Sequence, residues 1–63
     1  MPKAVIETLT ALGFDAEIVN PDYKSGAMLR IRGAGGPLYD RFEHDASADD
    51  AKRWAARHKP RTD

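Results

Sequence analysis

Val5, Ile6, Leu9 and Leu12 fall at i, i+1, i+4 and i+7 and form one apolar stripe on a 3.6-residue period. Lys3, Glu7, Thr8 and Thr10 face away from it. Pro2 suits a first helical turn, where its missing N–H is not needed. Gly13 can adopt the left-handed conformation that closes a helix, with Phe14 folding back onto the last turn. The spacing predicts a helix over 3–12. The period then changes to two. Phe14, Ala16 and Ile18 alternate with Asp15, Glu17 and Val19, the mark of a half-buried strand. Asn20-Pro21-Asp22 is expected to break that strand, with a loop running through Tyr23 to Gly26.

A second alternation sets Ala27, Leu29 and Ile31 against Met28, Arg30 and Arg32. Gly33-Ala34-Gly35-Gly36-Pro37 punctuates the chain. In the third strand Leu38, Asp40 and Phe42 share one face, and Tyr39, Arg41 and Glu43 the other. Leu38 and Phe42 are expected to point inward, with Asp40 an irregularity near an edge or a bulge. Ser47-Ala48-Asp49-Asp50 reads as a capping box that opens a second helix. Ala48, Ala51, Trp54, Ala55 and His58 form its stripe. Pro60 is expected to end it, and residues 1–2 and 60–63 to fray.

The fold class that follows is α+β: an α-β-β-β-α two-layer sandwich. Short connections imply a three-stranded antiparallel meander, and both helices cover its one apolar face. Leu9, Phe14, Leu29, Phe42 and Trp54 are expected to share the interior. At 63 residues the chain is one small globular domain, 1–63.

Composition narrows the function classes. Ten Lys+Arg balance ten Asp+Glu, so neither a strongly basic nucleic-acid binder nor an acidic tail is expected. There is no cysteine, hence no disulfide, no thiolate zinc site and no thiol nucleophile. No apolar run approaches the roughly 20 residues of a membrane span, and no signal-peptide core follows Met1. A cytoplasmic protein without cofactor, metal or membrane contact is expected.

Four features carry candidate chemistry. The glycine loop at 33–36 lacks the following helix and the Lys-Ser/Thr of a phosphate loop, and reads as a plain hairpin. His44 and His58 have no partners at catalytic or metal-binding spacing, so no enzyme activity is expected. Lys52, Arg53, Arg57, Lys59 and Arg61 make a basic second half of the last helix. That arrangement suits the helix dipole, and alternatively offers a weak nucleic-acid surface. The open sheet face offers Met28, Arg30, Arg32, Tyr39 and Arg41, residue types enriched at protein interfaces.

The element order resembles the double-stranded-RNA-binding domain, which reads RNA partly through a basic start to its second helix. Here Ser47-Ala48-Asp49-Asp50 stands at that place, and its carboxylates repel a phosphate backbone. The order, together with Leu9-Thr10-Ala11-Leu12-Gly13-Phe14, is also similar to HicA-type toxin ribonucleases. Their catalytic His follows a Gly-Ser, where this chain has Ser25-Gly26-Ala27-Met28 and no His. Asp50-Ala51-Lys52-Arg53-Trp54-Ala55 looks like the closing helix of short phage and mobile-element proteins. The expected function is a non-enzymatic protein-binding module of that accessory kind, regulatory or inhibitory. It is expected to act through the open sheet face or a strand edge, as a monomer or an edge-strand homodimer.

Overall fold

A computed structural model describes residues 1–58 and Pro60. The order is α1 (Lys3–Ala11), β1 (Asp15–Tyr23), β2 (Gly26–Gly33), β3 (Gly36–Glu43) and α2 (Ala48–Ala56). This is the α-β-β-β-α arrangement the patterning predicts. The α1 helix closes with a Schellman motif. Phe14 N–H donates to the Leu9 carbonyl at 2.9 Å and Gly13 N–H to that of Thr10 at 3.1 Å. Gly13 takes φ +95° there, a conformation only glycine adopts at little cost. Pro2 is the N-cap and is fully buried, whereas Met1 is 73% exposed; residues 61–63, also expected to fray, lie outside the described residues.

The sheet is antiparallel in the order β1-β2-β3. Its first strand corrects the sequence reading. β1 runs through Asn20-Pro21-Asp22 to Tyr23 instead of stopping there. The register slips between Ile18 and Asn20 and again between Asn20 and Tyr23. Proline is tolerated because β1 is an edge strand and these are bulges, where no ladder donor is required. The Asn20 side chain accepts from Asp22 N–H at 3.2 Å and bridges the irregular stretch. The loop shrinks to Lys24-Ser25, with Tyr23 paired to Gly26. Both loop residues have positive φ, +49° and +65°, the signature of a type I′ turn. Replacing them by Asn-Gly suits that turn and is expected to raise stability by about 1 kcal/mol. A rise in urea midpoint at constant m-value checks this.

β2 and β3 pair without interruption from Gly26↔Glu43 to Gly33↔Gly36. Asp40 therefore sits in regular strand, not in a bulge. It faces α2, where its Oδ2 accepts from the Trp54 indole N–H at 2.9 Å. A polar residue on the apolar face is explained by that bond. Leu38 is 44% exposed instead of core. The reason is the early end of α2 at Ala56, before Pro60 forces one. His58 lies past the helix, and its Nδ1 donates to the Trp54 carbonyl at 2.8 Å. The same carbonyl also accepts from Arg57 N–H at 3.1 Å in the closing turn, and the helix stops short of Leu38.

The start of α2 is the capping box read from the sequence. Ser47 N–H donates to Asp50 Oδ2 at 2.8 Å, and Asp50 N–H to Ser47 Oγ at 3.4 Å. The Ser47 backbone bond holds the Asp50 carboxyl below its ordinary range, with Arg53 and the Ser47 hydroxyl adding to it. Both helices lie on one face of the sheet, and α1 packs on α2 and β1. Between the layers lie Val5, Leu9, Phe14, Ala27, Leu29, Ile31, Phe42, Ala51 and Trp54. The five residues expected to share the interior all do. Phe14 meets Trp54 edge to face at 5.3 Å.

Candidate functional site

The register places Met28, Arg30, Arg32, Tyr39 and Arg41 on the sheet face opposite the helices. Arg30 lies between Glu17 and Tyr39, Met28 beside Arg41, and Arg32 beside Asp15 and Pro37. Alternation assigns the sides: Ala27, Leu29 and Ile31 are buried under the helices, so their neighbours in β2 point outward.

Arg30 is the centre of this face. Its Nη2 pairs with Glu17 Oε1. A hydrogen bond with the Tyr39 side chain, then the Glu17 charge, push its already high pKa further up. The guanidinium is thus paired to β1 and lies beside Tyr39 of β3, which remains 61% exposed. The Nε atom of Arg30 is covered and has no hydrogen-bond partner. Arg41 Nη1 meets Glu43 Oε2 at 3.3 Å. Val19 is the residue the first bulge inserts, and it is 46% exposed. On this face Arg30, Arg32 and Arg41 are matched by Asp15, Glu17 and Glu43, so three positive charges meet three negative ones.

The basic helix surface is different. Lys52, Arg53 and Arg57 are exposed. Arg53 is committed to Asp50 at 2.5 Å. Lys59 and Arg61 lie outside the described residues. A mixed-charge groove runs between β3 and the start of α2, with Asp40, Arg41, Asp45, Asp50, Arg53 and Arg57 among its walls. His44 is exposed beyond the end of β3. Among the described residues no group of three or more His, Asp or Glu converges to hold a metal ion.

Both sheet edges are interrupted. β1 carries Pro21 and two register slips. β3 opens with Pro37 in its second position, and the Arg41 N–H donates to Asp40 Oδ1 at 2.9 Å. Prolines, bulges and side-chain caps of this kind oppose strand addition.

Sequence reasoning finds the face and sets the β2 arginines between acidic and mixed neighbours, where cross-strand ion pairs are expected; it does not single out Glu17 as the partner of Arg30. The Glu17–Arg30–Tyr39 cluster depends on the register of three strands. Its only signal in the chain is the regular run 15–18, which fixes Glu17 opposite Arg30 once the hairpins are paired. Among the described residues no helix is long and apolar enough to cross a membrane. The chain matches no protein-family model, no curated protein and no solved structure.

Proposed function

We propose that this protein is a non-enzymatic protein-binding module, a cytoplasmic regulatory or inhibitory accessory protein of phage or mobile-element kind. Its docking surface is the open sheet face centred on Met28, Arg30, Tyr39 and Arg41, with Arg32 at its margin. The observation that carries this reading is Tyr39 standing 61% exposed beside an arginine already held in place by Glu17. A preorganised Arg–Tyr pair loses little side-chain entropy on binding, and both types dominate interface energetics.

Charge decides the class of partner. A face with three positive and three negative groups has no net attraction for a phosphate backbone. It suits a protein surface of mixed charge that brings acceptors to the arginines. A second copy of the chain fits badly. β2 is the central strand. A two-fold stack of two such faces with aligned strands therefore lays Arg30 and Arg32 over their own counterparts. The interrupted edges support the face over an edge-strand homodimer.

The double variant Arg30→Ala/Tyr39→Ala is expected to weaken capture of the partner by roughly 30-fold, the loss typical of an interface hot spot. Its fold should be retained, because both residues lie outside the core. Unchanged capture by a folded variant removes this face. Titration with duplex and single-stranded DNA and RNA is expected to show no binding at low salt. Salt-sensitive binding lost on neutralising Lys52 and Arg57 would favour the helix surface instead.

A further inference from the structure

Under the glycine hairpin lies a concavity that the docking face does not use. Its volume is about 140 Å³, and its walls are Phe14, Leu38, Trp54, His58 and the backbone of the 33–36 turn. It exists because α2 ends early and leaves Leu38 uncovered. The turn contributes backbone and no side chain, and a Cβ at Gly35 or Gly36 would meet nothing within 4 Å.

The aromatic walls are fixed. His58 stacks on Trp54 at 3.9 Å with 18° between the rings, and Phe14 meets Trp54 edge to face. The polar atoms of these side chains are then few. The indole N–H is bound to Asp40. The Trp54 carbonyl can only accept, so His58 Nδ1 carries the proton in that bond. In the neutral ring Nε2 is left as a bare acceptor, the one uncommitted side-chain polar atom among the residues that form the walls.

We infer that this concavity is a binding site for a single hydroxylated aromatic ring, its O–H donated to His58 Nε2. The size agrees, since an apolar cavity of about 150 Å³ takes one benzene ring. Aromatic walls favour a planar guest by edge and face contacts. Among the side chains that line the pocket, His58 Nε2 is the one acceptor left, which favours a ring that brings a donor, since a donor-free ring lying over Nε2 leaves it desolvated. A free phenol and a tyrosine side chain of another protein share this chemistry.

The test is a titration of the ¹⁵N-labelled protein with phenol, toluene and N-acetyl-tyrosinamide, followed by NMR. Saturable shifts at the Trp54 indole, Leu38 and His58 are expected, with phenol about threefold or more tighter than toluene. The relative affinity of N-acetyl-tyrosinamide and phenol assigns the source to a side chain or to a free molecule. His58→Phe keeps a ring on Trp54 and is expected to bring phenol down to the level of toluene. Leu38→Ala, at an exposed position, is expected to weaken all three and leaves the core untouched. Absence of saturable shifts with both hydroxylated probes overturns the site. So does equal affinity for phenol and toluene, or a phenol preference that survives His58→Phe.

Discussion

Trp54→Ala is expected to remove half or more of the stability of the fold at 25 °C. The indole is 3% exposed, meets Phe14 edge to face, and donates to Asp40. Truncating a buried Trp costs roughly 3–5 kcal/mol. A domain of 63 residues at about 0.05–0.15 kcal/mol per residue holds only about 3–9 kcal/mol in total. A urea midpoint lowered by about half or more, with a shortened folded baseline by far-UV circular dichroism, checks this. Two milder variants separate packing from the hydrogen bond. Asp40→Ala leaves the indole N–H without its acceptor and is expected to cost about 1–2 kcal/mol. Asp40→Asn keeps an acceptor oxygen and is expected to cost less. Equal stability of Asp40→Ala and the wild type contradicts the role given to this pair.

Gly26→Ala is the second severe change, although it adds one methyl group. A Cβ there falls 2.3 Å from the Phe42 carbonyl oxygen and 2.7 Å from Arg41 Nη1. The guanidinium can move. The carbonyl cannot, because β3 is paired to β2 at this point, with Gly26 opposite Glu43 and Ala27 opposite Phe42. The clash is resolved only by opening the end of the sheet beside the type I′ turn. The expected loss is about 3 kcal/mol, the upper part of the range for overpacking. Faster amide exchange at Ala27 and Phe42 than at Ile31 and Leu38 would locate the damage at that end.

Most of the architecture is legible because it rests on local periods. The α1 stripe, the β2 alternation and the Ser47–Asp50 capping box each need only a few neighbouring residues to declare themselves. What stays hidden depends on partners distant in the chain. Asn20-Pro21 looks like a strand break because proline lacks a donor. It is tolerated because β1 is an edge, which only the strand order reveals. Asp40 looks like a flaw in an apolar face until Trp54, 14 residues on, brings a donor to it. Lys24-Ser25 carries no glycine or asparagine, so the tight turn there has no chemical signature. Gly26 likewise reads as a loop glycine, and its need for a missing side chain comes from Phe42 across the sheet.

The same division holds for the candidate site. Outward-pointing Met28, Arg30, Arg32, Tyr39 and Arg41 follow from alternation alone. The placing of Arg30 between Glu17 and Tyr39 requires three strands in register. So does the matching of charges that distinguishes this face from the basic outer surface of α2. The pocket under the glycine hairpin arises from where α2 stops, at Ala56, short of the end that Pro60 marks in the sequence.

A photo-crosslinking comparison tests the docking face most directly. A benzophenone side chain is placed at Tyr39 in one protein and at Lys52 in another, and each is irradiated in extract of the source cell. One discrete protein adduct from position 39, absent from position 52 and lost with Arg30→Ala, is the expected result. Adducts from position 52 alone contradict a docking role for the open sheet face.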